Sequence, residues 1–314
     1  MMTEIATPGV YPLGAEEYYA DPCPSPSLSA SIANILLSQS PLHAWYAHPR
    51  LNSSYVREEK EIFDRGTAAH AYLLQGETGF EVIEADDWRT KAAKEARAEA
   101  RLAGKVPLLA KHWDAVVAMA EAANVQLDKF ADRPRPLSDG KPEQSLVWQE
   151  EGGIWCRARA DWLHDDHSTI DDYKSTGASA NPEAWTRGPL FAGADIQAAF
   201  YLQGLKALTG HDAQFRFVVQ ENFAPYALCV IGLDPAVLML AEKKVRLALE
   251  LWRRCLESNR WPGYPTVTCW AELPPWIEAS WLAREERELA ESQKPDRLNS
   301  LMGAIAMDRA KEVQ

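Results

Sequence analysis

"ARADWLHDDHSTIDDYKST", residues 158–176, contains two strand-like runs on either side of a polar turn. Successive side chains of a strand point to opposite faces, so residues two apart share one. Running into the first strand, Ile154, Cys156, Ala158 and Ala160 make a face of small apolar residues, while Trp155, Arg157, Arg159 and Asp161 line the other. In the second run Asp172 and Lys174 share a face and Asp171 points the opposite way. With "HDDHS" (164–168) as the connection, the strands are expected to be antiparallel neighbours, with Asp161 and Asp172 meeting across the ladder and Lys174 beside them. The plainer reading is a surface ladder in which Asp161 pairs with Arg159 or Lys174. His164, Asp165, Asp166 and His167 imitate a metal cluster, but they fall in the turn and are expected to be exposed.

Outward from this block, "SLVWQ" (145–149) reads as a strand joined to "IWCRARADWL" through "EEGG" (150–153), whose glycines suit the positive backbone angles of a tight hairpin. Helical patterns precede this meander. "SLSASIANILLSQSPLHAWYAHP" (27–49) opens on cap-forming serines and is broken by Pro41, and "EKEIFDRGTAAHAYLL" (59–74) places Phe63, Ala69 or His70, and Leu73 or Leu74 at helical spacing. The alanine-rich "TKAAKEARAEARLAGK" (90–105) and "LLAKHWDAVVAMAEAANVQL" (108–127) follow. After the meander come a helix over 183–210, two strands within 213–234 and a long amphipathic helix over 235–259. This order predicts an α/β fold with one central mixed sheet flanked by helices. The expected divisions are an extended Pro- and Gly-rich arm over 1–26, a main domain over 27–284 and a charged tail over 285–314.

The chain has 314 residues, 46% of them hydrophobic, which is enough to bury a large core. No apolar run approaches membrane-spanning length and no secretory leader pattern opens the sequence, so the expected location is the cytoplasm, without membrane association. The five cysteines are scattered, with no CxxC pair, and read as reduced thiols. A formal net charge of -12 argues against nucleic acid coating the whole surface, because phosphate binding is driven by Lys and Arg. One local exception is the stretch from Arg89 to Lys111, which carries seven Lys or Arg against Glu95 and Glu99. It is either a solvated helix face laced with ion pairs or a surface for phosphates.

Two carboxylates converging on one point repel each other, and a divalent cation such as Mg²⁺ is a common reason to tolerate that. A neighbouring lysine can then orient a water, deprotonate it, or stabilise charge on a phosphate under attack, which is the chemistry of phosphodiester hydrolysis. Here the residues match a known pattern. Asp161, Asp172 and Lys174 resemble the D…(D/E)xK core of the PD-(D/E)XK nuclease superfamily, and "DYKST" (172–176) resembles the third motif of its RecB-like branch. "GTAAH" (66–70) lies on an upstream helix, where that branch carries a metal-binding histidine, and "QAAFY" (197–201) resembles its QxxxY motif. The resemblance runs from about Leu28 to Tyr201, with "WPGY" (261–264) similar to the usual C-terminal end, and within the branch it is greatest to RecE-type exonucleases.

The resemblance implies that His70, Asp161 and Asp172 bind metal, with the Tyr173 backbone carbonyl as a further ligand, and that Lys174 is the catalytic lysine. Gln197 and Tyr201 share a helix face and would contact DNA or brace the lysine strand; the plainer alternative is a pair at the edge of the core. Ser175, Thr176, Arg157 and Arg159 are candidate DNA contacts. Glu143 is either a residue at the start of a strand or an additional acid near the metals. The implied cofactor is Mg²⁺, with Mn²⁺ as a substitute. The implied activity is 5′ to 3′ exonucleolysis of double-stranded DNA ends, leaving 3′ single strands for recombination. A ring-shaped homo-oligomer such as a tetramer, a single-strand annealing partner and a phage or prophage origin are implied in the same way. A RecB-like endonuclease or single-strand nuclease, and a non-cutting binding module on the same fold, are the rival readings.

Overall fold

The computed structural model describes residues 4–56, 65–76 and 80–292. It divides into two compact units, Met1–Gly263 and Tyr264–Gln314.

Among the described residues the first unit carries eight strands: β1 (Gly9–Tyr11), β2 (Phe80–Ile83), β3 (Val106–Leu109), β4 (Gly140–Glu150), β5 (Ile154–His164), β6 (Thr169–Thr176), β7 (Gln214–Glu221) and β8 (Leu228–Gly232). Its helices are α1 (Ala15–Tyr19), α2 (Ala30–Ser38), α3 (Pro41–Tyr46), α4 (Arg65–Gln75), α5 (Lys91–Leu102), α6 (Trp113–Leu127), α7 (Pro182–Arg187), α8 (Ala194–Thr209) and α9 (Pro235–Ser258). The expected helix over 59–74 is seen from Arg65 onward; Phe63 lies outside the described residues.

Six strands form one mixed sheet in the order β1-β4-β5-β6-β7-β8, and β2 and β3 form a separate parallel pair. The β4–β5 hairpin turns through Gly152 and Gly153, both at φ 78, a region that side chains disfavour. The connection from β6 to β7 passes through α7 and α8, and β7 returns parallel to β6, as a helical crossover requires.

Both faces of the sheet are covered. On one, α2, α8 and α9 bury a core that includes Trp148, Phe200, Phe217 and Trp252. Helix α8 lies so close to β4 that a Cβ on Gly204 would stand 2.6 Å from the Trp148 ring. On the other face α4 and α6 place Ala69, Met119, Ala123 and Leu127 against Tyr173 and Val218. The architecture is the α/β sandwich expected from the order of elements.

The N-terminal stretch is not a separate arm. Strand β1 pairs with β4, and Ile5 and Cys23 pack on Val147 and Trp155. In the second unit, α10 (Pro275–Ser292) runs across the expected boundary at residue 285, with Trp276, Ile277 and Trp281 exposed. Of the expected tail, residues 293–314 lie outside the described residues. No helix among the described residues is long and apolar enough to cross a membrane.

Candidate active site

Strands β5 and β6 pair only at Trp162–Asp171 and Leu163–Ile170. Beyond these rungs they part, and β6 continues alongside β7 alone as far as Thr176–Glu221. A fork of this kind leaves backbone donors without a strand partner. Asp161 fills the gap: its Oδ2 accepts the Tyr173 N–H at 2.9 Å.

Three further elements converge on the fork. Helix α4 brings His70, whose Nε2 lies 3.1 Å from Asp161 Oδ2 and whose ring stands against that of Tyr173, with centroids 5.7 Å apart. Helix α8 brings Gln197, which donates to Asp172 Oδ2 at 2.5 Å. Strand β4 brings Glu143, at φ 56 in the middle of the strand. The ladder pairs Pro142 with Trp162 and Gln144 with Ala160, so Glu143 stands opposite Asp161 as the skipped rung. A non-glycine residue held at positive φ inside a strand is strained, and such strain concentrates at functional sites. Glu143 pairs with Arg159 at 3.1 Å, and Lys174 Nζ pairs with Asp172 Oδ1 at 2.5 Å.

The charges in the fork pull the two aspartates apart. Burial raises the Asp172 carboxyl to about 6; Lys174 opposes the rise and Asp161 adds to it. Asp161 is less buried than Asp172, 18% exposed against 1%, and His70, Lys174 and the Tyr173 N–H outweigh what burial it has and hold it below the ordinary range. Burial works against the Lys174 ammonium, but Asp172 and Asp161 overcome it and raise its pKa. His70 behaves alike, with Asp161 the main charge acting against burial. Glu143 is raised by burial and by Asp161, with Arg159 and His70 pulling the other way.

Among the described residues no three acidic, histidine or cysteine side chains surround a point closely enough to hold a metal ion. The acids are instead closed on His70, Lys174 and Gln197. The donor set nevertheless suits a hard divalent cation. Two carboxylates and one imidazole meet from three elements, and the buried Asp172 carboxyl, driven up to about 6, is a group that a cation would keep ionised.

The sequence matches the model of a PDDEXK-like domain of unknown function (DUF3799) over residues 37–269. The chain belongs to this family. It is thereby a member of the PD-(D/E)XK nuclease superfamily, and the expected α/β fold is the one observed. Similar solved structures include a "Putative exonuclease" from Eubacterium rectale, 13% identical, covering 81% of this chain and 93% of that one with a TM-score of 0.46. An alkaline exonuclease from Laribacter hongkongensis is 15% identical over 61% of this chain and 90% of that one, TM-score 0.24. A phage related exonuclease from Haemophilus somnus 129PT is 15% identical over 63% and 97%, TM-score 0.27. No curated protein matches the sequence.

Within this PDDEXK-like domain, several expected DNA contacts lie elsewhere. Arg157 is buried and spent on Asp21 at 3.1 Å, the Ser27 carbonyl at 3.0 Å and the Tyr18 carbonyl at 3.2 Å; it is a strut between β5 and the N-terminal stretch, not a DNA contact. Tyr201 is buried edge-on to Phe215, so bracing, not DNA contact, is the role open to it. Thr176 Oγ1 accepts the Ala178 N–H at 3.0 Å in the turn leaving β6, and Ser175 is half-buried one residue before it. His164, expected in an exposed turn, is buried and bonds Asp171 at 2.8 Å, because β5 extends one residue further than its pattern suggested. Asp171 and Arg216 form a two-pronged pair at 2.6 and 2.9 Å on the opposite face from Asp172. Sequence reading missed this pair, although an arginine inside "FRFVV" (215–219) is a charge in a buried strand that demands a partner.

Proposed function

We propose that this chain is a Mg²⁺-dependent deoxyribonuclease of the RecE-type group within the RecB-like branch, degrading double-stranded DNA from its ends 5′ to 3′ and leaving 3′ single strands. One observation carries the reading. Asp161, Asp172 and Lys174 meet where two strands part, with His70 and Gln197 supplied from opposite layers of the sandwich.

In this reading Asp161, Asp172 and His70, with the Tyr173 carbonyl, would hold the cation, with Mn²⁺ able to substitute, and Glu143 is the further acid beside them. When bound, such a cation lowers the pKa of a water and neutralises charge on the phosphate under attack. Lys174, held as an ammonium by Asp172 and Asp161, donates to a water or to a non-bridging phosphate oxygen. Gln197 fixes the orientation of the Asp172 carboxylate. Arg159 lies on the same strand face as Asp161, and its pairing with Glu143 holds a guanidinium next to the fork for a DNA phosphate. Ser175 and Thr176 offer hydroxyls at the exit of β6. The basic helix α5 is a phosphate-tracking surface, and the acidic remainder of the chain confines DNA to it. A ring-shaped homo-oligomer and an annealing partner for the exposed strand belong to the same proposal, and sedimentation as a monomer at working concentration would count against the ring.

The test is digestion of linear duplex labelled at either the 5′ or the 3′ end, beside covalently closed circular duplex, with Mg²⁺ or EDTA, using wild type and Lys174→Ala. Mg²⁺-dependent loss of the linear DNA alone, with early release of the 5′ label and none by the variant, is the expected result. Cutting of the circle would replace the exonuclease with an endonuclease. No cutting in Mg²⁺ or Mn²⁺ would leave a non-catalytic binder.

A further inference from the structure

Strand β7 buries a glutamine that the fork does not use. Gln220 ends the run "FRFVVQ" (215–220) and is fully buried. A buried amide is costly unless its donors and its acceptor find partners. Both ends of this one do. Gln220 Oε1 accepts the Tyr173 hydroxyl at 2.6 Å, and Nε2 donates to the Met119 carbonyl at 2.8 Å and the Tyr226 carbonyl at 3.2 Å.

These bonds tie the strand next to β6 to the helical layer that supplies His70. In the parallel β6–β7 ladder Gln220 stands opposite Ser175 and Val218 opposite Tyr173, so Gln220 and Tyr173 share a face of the sheet. That face is the one covered by α4 and α6, and Met119 of α6 lies in one buried cluster with Tyr173 and with Ala69, the residue before His70. The Tyr173 ring itself stands against the His70 imidazole, with centroids 5.7 Å apart and planes at 39°. Gln220 therefore reaches His70 by two routes, through the Tyr173 ring and through α6.

The other hold on the imidazole is Asp161 Oδ2, 3.1 Å from Nε2. A cation held by His70 and Asp161 together would engage these same two atoms, and their direct contact would no longer orient the ring. Orientation then falls to the groups behind the imidazole, and such groups commonly fix the ring of a ligating histidine.

We propose that Gln220 is a positioning residue for His70, fixing through the Tyr173 phenol the ring on which the imidazole lies. The inference rests on the nuclease reading, in which His70 holds the divalent cation, and deepens it.

The experiment uses the full chain and Mn²⁺, with binding followed by the Mn²⁺ paramagnetic resonance signal in the absence of DNA. Tyr173→Phe keeps the ring and the backbone carbonyl and removes only the hydroxyl, and Gln220→Met keeps the length and removes the amide. Gln126→Met is the control: Gln126 also ties α6 to the Tyr226 carbonyl, at 2.9 Å, and accepts the Leu228 N–H at 2.9 Å. Loss of a group that orients a metal ligand weakens metal binding about 10- to 100-fold. Tyr173→Phe and Gln220→Met should each show such a loss, Gln126→Met should bind as wild type does, and Tyr173→Phe should add no further loss to His70→Ala. Wild-type affinity in Tyr173→Phe, an equal loss in Gln126→Met, or the full loss again on top of His70→Ala would overturn the positioning role. If Gln220→Met does not fold, Tyr173→Phe decides alone, since it leaves Gln220 in place. Wild type that neither binds Mn²⁺ nor cuts DNA would remove the nuclease reading and this inference together. Wild type that binds and cuts, with Tyr173→Phe binding equally well, would remove only this inference.

Discussion

Asp171 and Asp172 are neighbours in sequence, yet replacing one should destabilise the protein and replacing the other should stabilise it. Asp171 meets Arg216 at 2.6 and 2.9 Å, His164 at 2.8 Å and the Leu137 N–H at 2.9 Å, all in the interior. Asp171→Ala leaves the Arg216 guanidinium out of water with the Pro134 carbonyl and, at 3.3 Å, His164 Nε2 beside it in place of a carboxylate, and breaking a buried pair from one side costs about 3–5 kcal/mol. For Asp172 the sign reverses. Its carboxyl lies at about 6 against an ordinary 3.8, so ionising it inside the fold costs roughly 3 kcal/mol. A raised acid pKa means that this cost is absent below the unfolded value and grows as pH rises through the folded one. Asp172→Asn keeps the shape and removes the charge. After a discount for the partly exposed Lys174 that loses its partner, it should gain roughly 1–2 kcal/mol at about pH 7.5 and nothing at about pH 4. Equilibrium urea unfolding in EDTA, followed by the fluorescence of the buried Trp148 and Trp252, measures both variants. Equal losses in the two, or an Asp171→Ala variant as stable as wild type, would refute this division of labour.

Gln197→Ala removes a hydrogen bond to a carboxylate worth about 1.5–3 kcal/mol, so stability should fall by up to that amount and, where the bond orients Asp172 for the reaction, cleavage of linear duplex should slow about 10- to 150-fold; unchanged kcat would reject the bracing role. Asp21 is held below the ordinary carboxylate range because His48, Arg157 and Ser27 outweigh its burial. A depressed acid pKa contributes stability that is present above the unfolded value and is lost as pH falls through the folded one. Wild type should therefore lose stability on acidification below about pH 4 more steeply than Asp21→Asn, which starts lower at neutral pH; parallel stability profiles would show that Asp21 is not the group responsible.

The meander and its acids were readable because they obey the period of two. Ile154, Cys156, Ala158 and Ala160 face the core as the alternation required, and Gly152 and Gly153 take the turn angles that their sequence suggested. Alternation also separated Asp171 from Asp172 correctly. It could not show that Arg157 and Arg159, alike in face and type, have different fates. Arg157 lies under the N-terminal stretch and is consumed there, whereas Arg159, two residues nearer the fork, pairs with Glu143 and stays beside the acids. That difference depends on residues more than a hundred positions away in sequence, which no local pattern encodes.

The fork was illegible for the same reason. Regular antiparallel pairing would place Asp161 and Asp172 across a continuous ladder, with their backbone donors and acceptors satisfied by each other and their side chains spread over a flat face. Instead the ladder stops after two rungs, Asp161 satisfies the Tyr173 N–H with its own carboxylate, and Leu28 completes the abandoned edge of β5. Parting the strands lets side chains from both layers, His70 from α4 and Gln197 from α8, reach the same two acids; a closed sheet would have kept those layers apart. The cost is an interrupted ladder and a strained Glu143, and both lie where the acids meet. A substitution that restored pairing across the fork should therefore stabilise the sheet and remove whatever chemistry the fork performs.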